Sequence, residues 1–83
     1  MSALELTRTL LGKCLQLDNA RLLTRETRLL GHIPELNSLT VATLVMEIEE
    51  TVDCEIEDEE MTADIFDTVG SLADFVDKKM AST

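Results

Sequence analysis

The segment 38–52 places apolar residues at the spacing of an α-helix, and this pattern constrains the fold more than any other feature of the chain. One stripe of the helix is formed by Val41, Leu44, Val45, Ile48 and Val52. A second stripe beside it is formed by Leu39, Ala42 and Met46. Together they make an apolar arc wider than one helix–helix contact requires. The helix is therefore predicted either to lie at the centre of a bundle or to keep its second stripe for a partner.

Three further segments complete an all-α prediction. Helices are expected over about residues 2–17, 61–67 and 71–80, in addition to 38–52. Few glycines and prolines, with many leucine, glutamate, threonine and alanine residues, favour helices. With 83 residues the chain has room for one domain, 1–83, with a small core and no enclosed active site. The prediction is a small four-helix bundle with a short third helix.

The connections between the predicted helices carry different signals. The long connection 18–37 is expected to be pinned to the core by its leucines, which are Leu22, Leu23, Leu29 and Leu30. Its arginines are Arg21, Arg25 and Arg28, and they favour a solvated face that offsets acidic charge over a phosphate site. Further along, 68–70 is expected to form a turn, with Ser71 as the cap of the last helix.

Ser38 stands where the connection turns into the longest helix. Asn37 is a favoured N-cap residue, so Ser38 is predicted to occupy the first helical position with its hydroxyl in solvent. A helix N-terminus carries partial positive charge and unpaired N–H groups, which suit a phosphate on that hydroxyl. Serine is also an ordinary capping residue, and the local pattern leaves this alternative open.

Acidic charge is concentrated in one part of the chain. The net charge is −10, and between residues 47 and 77 there are 13 acidic residues and no Lys or Arg. This balance argues against nucleic acid or an anionic membrane as a partner and favours proteins with basic docking surfaces. The acidic run is not a calcium loop, because Asp58 stands where such a loop needs glycine. No metal site is predicted.

Neither an enzyme nor a membrane span is indicated. Cys14 and Cys54 lack motif spacing and are interpreted as free thiols in a reducing cytoplasm. No apolar run approaches the ~20 residues of a membrane helix. A hydrolase would need Ser38, His32 and an acid in mutual contact beside a pocket, and the domain is too small to build one. The prediction is a cytoplasmic, non-catalytic monomer without membrane insertion.

Several motifs, in order and at matching spacing, resemble the acyl carrier protein family. The Asn-Ser-Leu sequence at 37–39 stands where that family has its Asp-Ser-Leu motif. Segments 44–50, 52–60 and 68–76 are similar to the family's second helix, the acidic segment after it and the closing helix. Residues 10–15 fit the first helix more loosely. The resemblance covers most of the chain.

The resemblance implies a cofactor and partners. Ser38 would carry 4′-phosphopantetheine, flanked by Asn37 and Leu39, and the arm would hold acyl groups as thioesters in fatty-acid, polyketide or related lipid metabolism. A phosphopantetheinyl transferase would attach the arm, and enzymes that load or consume acyl groups would dock through basic patches. The residues expected to meet them are Leu39, Met46, Glu47 and Glu50.

Three departures from the family pattern indicate a specialised carrier with dedicated partners. Asn37 replaces the motif's aspartate, Thr40 and Thr43 stand where acidic residues are frequent, and Glu57 replaces a proline. The sequence around Ser38 is similar to that of stand-alone carriers linked to exopolysaccharide or exosortase systems. An aminoacyl or peptidyl carrier, and an acidic helical interaction protein that is never modified, remain alternatives.

Overall fold

The structure, a computed structural model, describes residues 2–16, 22–29, 31, 33 and 36–81. They form three α-helices: α1 (Ala3–Leu15), α2 (Ser38–Val52) and α3 (Val69–Ala81). Two 3₁₀ turns, Asp58–Glu60 and Ala63–Phe66, lie between α2 and α3. Apart from one isolated antiparallel bridge, this part of the chain contains no β-structure. The all-α prediction is confirmed, whereas the expectations for Arg21, Leu30 and His32 concern residues outside the described ones.

Helix α1 is shorter than the predicted 2–17. The Ser2 side chain caps its start by accepting a hydrogen bond from the Glu5 amide at 3.1 Å. Its end is set by Gln16, which takes a left-handed conformation with φ of 56°. Since that conformation cannot continue a right-handed helix, the last helical residue is Leu15.

Helix α2 has the predicted bounds. Its buried residues Leu44, Val45, Ile48 and Val52 belong to the predicted core stripe, and Val41 of the same stripe is half-buried. All three helices pack against one another around this stripe. The bundle core is completed by other buried residues, among them Leu10, Leu11, Leu15, Phe66, Leu72, Phe75 and Val76.

The predicted short third helix, 61–67, is not confirmed as a fourth α-helix of the bundle. In its place is the short 3₁₀ turn Ala63–Phe66, which ends as the Asp67 amide bonds to the Asp64 carbonyl at 3.3 Å. Its hydrogen bonds join residues three positions apart, the Ile65 amide to the Thr62 carbonyl and Asp67 to Asp64, which is the 3₁₀ pattern and rarely exceeds four residues. The described residues therefore form three α-helices, with the buried Phe66 as the last residue of this 3₁₀ turn.

Helix α3 begins at Val69, so residues 69–70 are helical and not part of the predicted turn. Thr68 and Ser71 form a reciprocal cap, each amide donating to the other side chain at 3.0 Å. Gly70 was misread as a turn residue. A Cβ on Gly70 would lie 2.8 Å from the Arg25 carbonyl oxygen, so glycine is needed for close approach of the connection.

The connection is tied to the start of α3 by backbone hydrogen bonds. The amides of Val69 and Gly70 donate to the carbonyls of Thr27 and Arg25, both at 2.9 Å. In the other direction, the Leu29 amide donates to the Asp67 carbonyl at 2.9 Å. These bonds satisfy helix-start N–H groups that would otherwise lack partners.

The side chains of the connection agree in part with the prediction. Leu23 and Leu29 are buried as expected. Leu22 is 69% exposed, so its predicted contact with the core is wrong. Arg25 and Arg28 form exposed ion pairs with acidic residues of the α3 region, Asp74 at 2.9 Å and Asp67 at 3.3 Å. Their predicted role of offsetting acidic charge on a solvated face is confirmed.

Candidate functional site

Ser38 is the first residue of α2, and it is exposed. The Asn37 side-chain oxygen accepts hydrogen bonds from the amides of Leu39 at 3.0 Å and Thr40 at 3.1 Å. The Thr40 hydroxyl in return accepts from the Asn37 amide at 2.8 Å. This capping box confirms Asn37 as the N-cap and assigns the reciprocal role to Thr40. Because the box does not use the Ser38 hydroxyl, the alternative of Ser38 as a plain cap is wrong.

The chain leading to Ser38 is anchored by backbone hydrogen bonds and by buried leucines. The Ile33 amide donates to the Leu29 carbonyl, and the Leu36 amide donates to the Ile33 carbonyl, both at 3.0 Å. Leu29 and Leu36 are both buried. The serine is therefore presented by a short hydrogen-bonded path that starts at the anchored connection and ends at the Asn37 cap.

An open cleft of about 440 Å³ lies beside Ser38. Its lining residues on the α2 side are Asn37, Ser38 and Val41, and those on the opposite wall are Met61, Thr62, Ala63 and Phe66. Most of these side chains are apolar, while the polar atoms of Asn37 and Ser38 stand at the start of the helix. The arrangement can shelter an apolar group next to the serine, a role that the sequence analysis did not foresee.

The wall opposite α2 is attached to α3 by a buried lysine. Lys79 is only 8% exposed, and its Nζ donates to Glu60 Oε1. The Lys79 ammonium also lies 5.7 Å from the centre of the Phe75 ring. The hydrogen bond from Lys79, helped by one from the Glu57 amide, lowers the pKa of Glu60, and the same pair raises the pKa of Lys79. The pair holds the chain directly before Met61.

The sequence analysis does not predict this pair. A usable signal was present, because Lys79 follows Phe75 by one helical turn and so shares its buried face. The identity of its acidic partner had no such signal, since the partner lies on a separate turn.

The second apolar stripe of α2 is exposed. Leu39 is 77% exposed and Met46 is 61% exposed, so neither belongs to the core. Glu50 is exposed on the same helix. Glu47 differs from the expectation of an open acidic residue, because Lys13 of α1 pairs with its Oε2 at 3.1 Å.

Other chemistry is limited within the described residues. They contain no group of three or more His, Cys, Asp or Glu side chains arranged to hold a metal ion. None of their helices has the length and apolar character needed to cross a membrane. Cys14 and Cys54 are free thiols, and partial burial raises the pKa of Cys14, which disfavours its reactive thiolate.

Comparison with known proteins agrees with this geometry. The family model for a phosphopantetheine attachment site matches residues 35–76, a range that contains Ser38, α2 and the cleft. The solution NMR structure of a holo acyl carrier protein from Nitrosomonas europaea is 41% identical to the chain. It matches with a TM-score of 0.87 over 98% of this chain and 99% of that one. No curated protein sequence gives a significant match.

Proposed function

This chain belongs to the acyl carrier proteins that hold 4′-phosphopantetheine, and on that premise we propose that Ser38 is the residue that carries the arm. Proteins of this family are carriers rather than catalysts. Their reacting thiol is supplied by the arm and the other chemical groups by partner enzymes. The observation that supports Ser38 is its exposure at the first position of α2, outside the capping box.

The residues around Ser38 suit a phosphodiester. The first turn of α2 contains no acidic residue, so the positive end of the helix dipole is not cancelled there by a carboxylate. Attachment forms a bond from Ser38 Oγ to phosphorus as the pyrophosphate bond of coenzyme A breaks. Adenosine bisphosphate leaves, and the hydroxyl proton passes to the transferase. The cap is expected to survive this step, because its hydrogen bonds use Asn37 and Thr40.

The cleft favours acyl cargo over aminoacyl cargo. Its walls include Val41, Met61, Ala63 and Phe66. These apolar side chains offer no charged partner to the ammonium of an aminoacyl group, whereas they can pack against an acyl chain. Acyl chains of fatty-acid, polyketide or related metabolism have no such charge. Isolating the protein from its native cells and identifying the trapped thioester would test this assignment.

The exposed stripe of α2 is proposed as the docking face. Leu39 and Met46 supply apolar contact next to the arm, and Glu47 and Glu50 supply the charge that a basic partner would meet. Asn37 in place of aspartate, and the lack of acid in the first turn, favour dedicated partners over general fatty-acid enzymes. A cytoplasmic monomer is the form proposed.

The attachment site is tested by intact mass after incubation with coenzyme A and a phosphopantetheinyl transferase. Wild type should gain one phosphopantetheine, whereas Ser38→Ala should gain none. Ser2→Ala is the matched control, because Ser2 is also an exposed serine at the start of a helix and should not affect the mass gain. Modification that persists in Ser38→Ala would place the arm elsewhere. A wild type unmodified by several transferases, and unmodified in its native cells, would favour an interaction protein instead.

A further inference from the structure

One cation of this chain lies within its acidic docking face. Lys13, in the last turn of α1, reaches α2 and pairs with Glu47 Oε2 at 3.1 Å. The Lys13 side chain is 66% exposed and that of Glu47 is 27% exposed, so the pair is in contact with water and the glutamate is its less exposed member. The pKa of Lys13 is raised, mainly by the hydrogen bond to Glu47 and slightly by the nearby Glu50.

The position of this pair matters because of what surrounds it. Glu50 follows the exposed Met46 by four positions and Glu47 by three, so Glu50 neighbours both on the proposed docking face. Between residues 47 and 77 the chain has no basic residue of its own. Lys13 therefore brings a positive charge from another helix to one of the acids that a basic partner would seek.

We propose that Lys13 is a specificity-determining residue that masks Glu47, so that a basic partner meets Glu50 first and engages Glu47 only by displacing Lys13. This inference rests on the proposed function and deepens it. A partner whose basic groups match both acids can replace Lys13, whereas one that offers a single base opposite Glu47 gains little. Lys13 thereby disfavours partners that recognise acid at this point of α2 alone.

The expected size of the effect follows from exposure. Ion pairs in contact with water are weak, so displacement is cheap for a partner that fits. Removing the mask should improve docking by up to about five-fold at low salt, within the range of exposed pairs. Part of any gain will come from the more negative net charge, which attracts basic partners over a distance. The test must therefore separate masking from net charge.

Arg28→Gln provides the matched control for Lys13→Gln. Both substitutions remove one positive charge, and both release one carboxylate from an exposed ion pair. The carboxylate released by Arg28→Gln is Asp67, which lies between the second 3₁₀ turn and α3 rather than on α2. Lys13→Arg keeps the charge and should retain the mask. Melting curves of each variant serve as the control that the exposed substitutions leave the fold intact.

The experiment measures KM and kcat for each carrier with a phosphopantetheinyl transferase of broad substrate range, at saturating coenzyme A and low salt. Lys13→Gln should lower KM about two- to five-fold relative to Arg28→Gln, with kcat unchanged and Lys13→Arg close to wild type. Glu47→Gln should raise KM in both backgrounds, and by more in the Lys13→Gln background, where the carboxylate is no longer paired. The difference in KM between Lys13→Gln and Arg28→Gln should shrink as salt increases.

Three results would overturn the inference. Equal KM values for Lys13→Gln and Arg28→Gln would reduce the effect to net charge. A higher KM for Lys13→Gln would make Lys13 a direct contact to an acid of the partner. An equal effect of Glu47→Gln in both backgrounds would show that Glu47 is not masked. In each case Ser38 would still be modified and the proposed function would stand, whereas absence of modification in wild type would overturn both.

Discussion

Gly70→Ala should destabilise the fold although it replaces glycine by alanine within a helix. In α3 the substitution alone would gain about 1 kcal/mol from helix propensity. The new Cβ, however, would lie 2.8 Å from the Arg25 carbonyl oxygen and 3.1 Å from the Arg25 Cβ. Such overpacking typically costs about 1–3 kcal/mol. It would also weaken the 2.9 Å hydrogen bond from the Gly70 amide to that carbonyl, worth about 1 kcal/mol.

The net expectation is a loss of about 1–3 kcal/mol, because the contact is with backbone that is itself tied to α3. Urea titration followed by circular dichroism measures it directly. In a domain of this size each 1 kcal/mol also lowers Tm by about 4–8 °C. Ala42→Gly, at an exposed position of α2, supplies the propensity scale in the same protein and should cost about 1 kcal/mol. Hydrogen exchange at the Leu29 and Val69 amides should accelerate in Gly70→Ala. A variant more stable than wild type would refute the close-approach explanation.

Three further predictions concern the cap, the two stripes of α2 and the buried pair. Asn37→Ala should cost about 0.5–2 kcal/mol in urea titrations by leaving two amides without their acceptor, while Asn37→Asp should keep the cap; equal losses would contradict it. Leu44→Ala should cost about 2–5 kcal/mol and Met46→Ala less than about 0.5, and equal losses would return Met46 to the core. Because the folded pKa of Glu60 is lowered, its stabilisation is present above its unfolded pKa and disappears as pH falls through the folded value. Lys79→Met should therefore flatten the acid side of a stability–pH curve, and an unchanged slope would disprove the coupling.

Local patterns predicted the parts of the fold that depend on local chemistry. The bounds of α2 followed from one apolar period and one capping residue, and both were correct at Asn37 and Val52. The same reasoning placed Leu39 and Met46 outside the core stripe, where the structure finds them exposed. These features need no knowledge of distant residues, because a helix and its cap are made from neighbours in sequence.

The errors arose where a distant contact changes the meaning of a residue. Gly70 has the sequence signature of a turn, but glycine is needed there because the Arg25 backbone passes too close for a side chain. In the predicted third helix, hydrogen bonds span three residues, and the apolar residues of so short a segment do not distinguish this 3₁₀ turn from an α-helix. At the candidate site, the ion pair of Lys13 with Glu47 joins residues 34 positions apart, and no single-sequence pattern links them.

The ties between the connection and α3 also order events during synthesis of the protein. Ser38 leaves the ribosome before residues 67–70, whose backbone holds the connection that presents it. At about 5–20 residues per second, synthesis takes a few seconds to advance from the serine to these partners. During that interval a transferase that recognises the folded surface has no formed surface to recognise. If Ser38 carries the arm as proposed and the transferase recognises the folded surface, attachment is expected only after α3 has docked.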